Sequence, residues 1–123
     1  MALGVMTLAL AVVLLGSGLV EAAVIVSGAV RVDPGDSVVC IAPNGGSGTA
    51  GNVRVFIQFN QSNGESNGLG GGICGNLASG QVCSSSSHGA GGDASAHCKI
   101  TFSSGRMRGT FCNNTKSLCA DAR

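Results

Sequence analysis

The chain has 123 residues, a formal net charge of +1, six Cys, 21 Gly, four Phe and neither Trp nor Tyr. That is enough for one domain and too little for a Rossmann fold with a second domain, a TIM barrel or a kinase. Sparse charges exclude a coiled coil, and Gly without a period of three excludes collagen.

In chain order, residues 1–22 read as a secretory signal peptide. The run from Ala2 to Val20 is apolar, interrupted only by Gly and small polar residues, and Val20-Glu21-Ala22 offers small residues at both positions a signal peptidase reads. The segment lacks Lys and Arg, so retention as a membrane anchor is the alternative. Cleavage after Ala22 would leave 101 residues of net charge +2.

Residues 23–112 are expected to form one β domain. The first strand, A, covers Ala23 to Val32, with a bulge at Ser27-Gly28. Asp33-Pro34-Gly35-Asp36 is a turn, and strand B follows over Ser37 to Ala42. After a Gly/Asn/Ser loop from Pro43 to Gly51, Val53, Val55, Ile57 and Phe59 alternate with Arg54, Phe56, Gln58 and Asn60, the clearest strand of the chain, C. Gln61 to Gly72 reads as a second loop, Ile73 to Gly75 and Gln81 to Ser84 as strands D and E, and Ser85 to Ala96 as a third loop. Cys98, Ile100 and Phe102 form strand F, and Met107, Gly109 and Phe111 strand G. Ser104-Gly105 between them suits a hairpin turn that would pair Phe102 with Met107, Ile100 with Gly109 and Cys98 with Phe111. Residues 113–123 are expected as a C-terminal tail.

Seven short strands at this spacing, with no helical period from Ala23 to Thr110, predict an all-β, antiparallel β-sandwich rather than a barrel or irregular knot. All six Cys follow the predicted cleavage site, an even count that marks a disulfide framework in an exported chain. No Cys-x-x-Cys knuckle is present, which argues against structural zinc. Six Cys allow 15 pairings. The strand geometry prefers Cys40–Cys98 between strands B and F, Cys74–Cys83 across a D/E hairpin, and Cys112–Cys119 tying down the tail.

The segments ending Val38-Val39-Cys40, the strand Val53 to Ile57, the stretch Cys74 to Cys83, and Ala96 to Ile100 followed by Arg108 to Cys112 together resemble small exported bacterial β-sandwich proteins of immunoglobulin-like type. The resemblance implies an immunoglobulin-like, disulfide-stabilised sandwich and no catalytic residues. There is no Trp on strand C and no Tyr before the second core Cys, which departs from antibody-type domains. Fungal hydrophobins, with eight Cys including adjacent pairs, are excluded.

Three chemical readings compete. Gly70 to Gly75 contains the letters of a dinucleotide fingerprint but opens no helix, so no cofactor is expected. Ser84 to Ser87, His88, Asp93 and His97 include the residue types of a hydrolytic or metal site without a nucleophile elbow; a small hydrolase or metal-binding protein is the lesser alternative. Asp33, Asp36, Glu65, Asp93 and Asp121 are scattered among turns and read as caps. The sharper signal is facial. If strands C, F and G are neighbours, Arg54, Phe56, Lys99, Arg106 and Arg108 share one outward face with Gln58, Thr101 and Thr110. Such a face suits an anionic polysaccharide, another surface polyanion or a surface protein. A second expectation is assembly through Ala23, Val24, Ile25 and Val26, an apolar strand able to pair with another subunit's sheet edge. Asn60-Gln61-Ser62 and Asn113-Asn114-Thr115 are glycosylation sequons, relevant in a eukaryotic secretory route.

Overall fold

The computed structural model describes residues 23–61 and 66–123; the predicted signal segment lies outside the described residues. Among these residues there are nine strands: β1 (Ala23–Val26), β2 (Val30–Arg31), β3 (Ser37–Pro43), β4 (Ala50–Gln61), β5 (Ser66–Leu77), β6 (Val82–His88), β7 (Asp93–Phe102), β8 (Gly109–Asn113) and β9 (Leu118–Ala122). They form two antiparallel sheets. The first has the order β1-β7-β4-β5, with β2 also on β7, and the second β6-β3-β8-β9.

Alternation builds the interior. Val53, Val55, Ile57 and Phe59 of β4 are buried beside Ala96, Cys98, Ile100 and Phe102 of β7. Val38, Cys40 and Ala42 of β3, with Phe111 of β8, face them from the second sheet. The core is thin in aromatics, and disulfides offset this. Cys40–Cys98 joins the two sheets through the core, with Cα atoms 6.0 Å apart. Cys74–Cys83 joins them at one edge, and Cys112–Cys119 links directly opposed residues of β8 and β9. Each bridge contributes roughly 2–4 kcal/mol by constraining the unfolded chain.

Several expectations need correction. Strand A is split: Val26 faces Lys99 and Val30 faces Ala96, with three residues between them on one side against two on the other, so the bulge at Ser27 to Ala29 divides β1 from β2. Two expected loops contain long strands, since β5 begins at Ser66 and β6 runs to His88. Gly- and Ser-rich segments carry little apolar alternation, and their partners β4 and β3 supply the register. The Cys74/Cys83 segment is no hairpin within one sheet. Its turn, closed by Gln81 N–H donating to the Ala78 carbonyl at 3.1 Å, carries the chain from the first sheet to the second. Residues 113–123 are no tail, because β9 completes the second sheet.

The largest correction concerns strands F and G. They form no hairpin: β8 pairs β3 and β9, while β7 pairs β1, β2 and β4. The connectivity therefore differs from the immunoglobulin-like one expected, in which F and G are neighbours. Both sides of β7 are occupied, one by β4 and the other by β1 and β2, so no vacant edge remains for β8. After Phe102 the chain pairs briefly with the start of β4, Ser103 N–H donating to the Gly51 carbonyl at 2.8 Å. Gly105, at φ +94°, then crosses the end of the sandwich so close to Ala50 that a Cβ would lie 2.7 Å from its Cα. Ile100 and Gly109 do meet, but across the core: a Cβ on Gly109 would overlap Ile100 Cδ1.

Candidate functional site

The crossover distributes the five expected binding residues over two surfaces. Arg54, Phe56 and Lys99 share the outer face of the first sheet, where Arg54 opposes Thr101 and Phe56 opposes Lys99. Arg106 and Arg108 lie elsewhere, beside the end of β3. The one-face cluster of five is thereby corrected, for the same reason that β8 is not next to β7.

On the first surface, Phe56 is half-buried rather than freely exposed. It opposes Gly71, and a Cβ there would come within 2.6 Å of Phe56 Cδ1. The ring covers the glycine and is thereby fixed. The same face carries three exposed aliphatics, Val24, Val26 and Ile73, the last 75% exposed. His97 lies further along, its Nε2 2.8 Å from Gln58 Oε1 and its Nδ1 3.3 Å from Asn60 Nδ2. Burial, then the Lys99 charge, hold its pKa below the ordinary histidine value.

The second surface is a concavity of about 820 Å³. Its local construction is simple. Met107 is buried and bridges Asn44, so Arg106 and Arg108 on either side point outward. Gly45 N–H donates to the Arg106 carbonyl at 3.0 Å and Arg108 N–H to the Pro43 carbonyl at 3.3 Å. Asn44 beneath is buried, its Nδ2 donating to the Gly48 and Leu77 carbonyls and its Oδ1 accepting from Gly46 N–H. Thr110 and Asp121, opposed on β8 and β9, and Arg123 complete the lining. Asp121 and Arg123 were not brought together with the arginines by sequence reasoning. The signal was available: pairing Cys112 with Cys119 in an antiparallel ladder sets Thr110 opposite Asp121.

Among the described residues, the ion pairs join Arg31, Lys116 and Arg123 to Asp33, Asp36 and Asp121. Arg54, Lys99, Arg106 and Arg108 have no acidic partner there. The hydrolytic constellation is dispersed. His88 opposes Ser37 in the second sheet, His97 is on the outer face of the first, and Asp93 is buried with its Oδ2 accepting from Ala90 N–H at 2.8 Å. No group of three or more His, Cys, Asp or Glu among the described residues could hold a metal. Gly71 to Gly75 of the dinucleotide letters lie within β5 and precede no helix. Glu65 and Ser62 are outside the described residues.

No family model and no curated protein matches the chain. Among solved structures, the enzymatically active domain of tailspike protein 4 from Bacteriophage CBA120 is similar at a TM-score of 0.45 and 16% identity, over 82% of this chain and 12% of that one. The chain thus spans a small part of that protein's length, and the likeness is too slight to bear on fold or activity.

Proposed function

We propose that the chain is an exported, non-enzymatic binding module that holds an anionic glycan or a similar surface polyanion against the outer face of its first sheet. The observation that carries this reading is the pair Arg54 and Lys99, flanking Phe56 on that face and without acidic partners among the described residues. Cations without acidic partners on one sheet face produce an attractive field for polyanions, and Gln58 and Thr101 add hydrogen-bonding groups. Three disulfides favour an oxidising, exported location, in keeping with the signal-like segment and with the resemblance to exported sandwich proteins.

Retention on an immobilised anionic polysaccharide tests the reading. The Arg54→Gln/Lys99→Gln variant should elute at markedly lower salt than the wild type while unfolding at the same temperature. Equal retention, or no retention of the wild type, would refute it. His97 gives a second readout: burial, then the Lys99 charge, lower its pKa, so the charge it gains on acidification should strengthen retention at a lower pH than for an ordinary histidine.

Assembly through strand pairing is the second reading, favoured by the position of β1 at a sheet edge with Val24 51% and Val26 46% exposed. It predicts concentration-dependent oligomers that disappear in Val24→Lys/Val26→Lys. A wild type that stays monomeric at every concentration speaks against it.

A further inference from the structure

We infer that the concavity between the end of β3 and the β8–β9 pair is a separate binding site for an acidic sugar, a saccharide unit that carries a carboxylate beside free hydroxyls. The site goes beyond the sheet-face reading and uses none of its residues.

Its charge composition is the first argument. Three guanidinium groups, Arg106, Arg108 and Arg123, line it against one side-chain carboxylate, Asp121. Arg123 Nη2 and Asp121 Oδ2 are 3.8 Å apart, a loose contact between well-exposed side chains, while Arg106 and Arg108 have no acidic partner among the described residues. Two guanidinium forks on one extended segment, separated by the buried Met107, suit a planar carboxylate that accepts parallel hydrogen bonds.

The second argument is that the site is not purely cationic. Asp121 can only accept hydrogen bonds when ionised, and sugar hydroxyls can donate them. Thr110 opposite it both donates and accepts. A phosphate or sulfate brought among these groups would meet the Asp121 carboxylate as a like charge. A uronate-type sugar instead sets its carboxylate toward Arg106 and Arg108 and its hydroxyls toward Asp121 and Thr110.

Shape is the third. A volume of about 820 Å³ falls in the range of sites for molecules larger than a single oxyanion. Gly45 contributes no side chain and a Cβ there would meet nothing within 4 Å, so a ring can approach the backbone at that point. The segment holding the arginines is anchored by its hydrogen bonds to Pro43 and Gly45 and by the buried Asn44, so the backbone of the site is set before any ligand arrives.

The test uses the oxidised, exported protein, a short oligomer of glucuronate, the neutral oligomer of glucose and inorganic phosphate, with binding read by amide chemical shifts and calorimetry. The glucuronate oligomer should shift the amides of Gly45, Gly109 and Thr110 and bind at least about tenfold more tightly than the glucose oligomer, a difference equivalent to one charged hydrogen bond. Arg106→Gln/Arg108→Gln should weaken it by about tenfold or more, Asp121→Asn should weaken it as well, and Arg54→Gln/Lys99→Gln should leave it unchanged. Equal binding of the glucose oligomer overturns the inference, as does phosphate that competes as well as the uronate, or uronate that binds Asp121→Asn as tightly as the wild type. Loss of uronate binding in Arg54→Gln/Lys99→Gln alone would move the site to the sheet face, refuting this inference but not the proposed function. Loss of polysaccharide retention only in the groove variant would do the reverse.

Discussion

The two ends of the β3–β8 pair use the same kinds of residue to opposite effect. At the end where β3 begins and β8 finishes, charge is consumed by the fold. Asp36 is 5% exposed, and its Oδ2 accepts from Asp33 N–H and Asn113 Nδ2 at 2.9 Å each, with Lys116 Nζ at 3.3 Å. Asn113 also donates to the Arg31 carbonyl and accepts from Thr115 and Lys116 N–H, so its amide is fully engaged. At the other end, where β3 finishes and β8 begins, Arg106 and Arg108 have no acidic partner among the described residues and line the concavity. A buried carboxylate must be partnered to be tolerated, whereas a guanidinium in water costs the fold little and stays available to a ligand. The difference separates structural charge from functional charge more sharply than residue type does.

The largest effect expected at the structural end is that of Asn113→Ala. It removes the amide that joins Arg31, Asp36 and the 113–116 turn, leaving a buried carboxylate under-partnered, and should cost about 3 kcal/mol in urea unfolding. A loss below about 1 kcal/mol would show that water substitutes for the amide. The same geometry bears on the sequon Asn113-Asn114-Thr115. With Asn113 completely buried, a glycan on its nitrogen is incompatible with the folded domain. Intact mass after expression in a eukaryotic host should show this site empty.

The next effect is on pH dependence. The Asn113 hydrogen bond, then that from Asp33 N–H, with help from Lys116, hold the Asp36 pKa below the ordinary aspartate value despite burial. An acid with a lowered folded pKa contributes stability above its unfolded pKa of about 3.9, and the contribution is lost as pH falls through the folded value. Lys116 is raised, first by its hydrogen bond to Asp33. Its contribution is present below about 10.4 and lost as pH rises through the folded value. Stability should therefore fall off at both extremes, and Asn113→Ala should flatten the acid limb. An unchanged acid limb in that variant would contradict the assignment.

How much of this was legible in the sequence depended on what alternation can encode. It fixes which side chains face the core, and so Val53 to Phe59, Cys98 to Phe102 and Phe111 were readable as buried. The same parity favours two of the three disulfides, because Cys40 and Cys98 point inward while Cys112 points out beside Cys119; the preference for Cys74–Cys83 rests on a hairpin that the structure replaces with a crossing between sheets. It does not encode which sheet a strand joins. Phe111 meets the core equally well from either side, and only the occupation of β7 by β1 and β2 sends β8 across. The free cations were therefore readable as a set and misread as one cluster. The parts of β5 before Ile73 and of β6 after Ser84 were hidden for a different reason: Gly71, Gly72 and Ser85 to Ser87 have little apolar contrast between faces, so their conformation is dictated by β4 and β3.

The smallest expected effect is the most discriminating for the comparison. Arg106→Gln/Arg108→Gln should change unfolding free energy by no more than about 0.5 kcal/mol, the usual range for exposed positions without specific partners. The backbone bonds from Gly45 to Arg106 and from Arg108 to Pro43 do not depend on side-chain identity, and the buried Met107 between them is untouched. Removing two like charges from one segment relieves some repulsion, which should be visible as a slight stabilisation at low salt and vanish at high salt. A loss of 1 kcal/mol or more in this variant would mean that the guanidinium groups are spent on the fold, as Lys116 is at the other end, and the division between the two ends of the β3–β8 pair would fail.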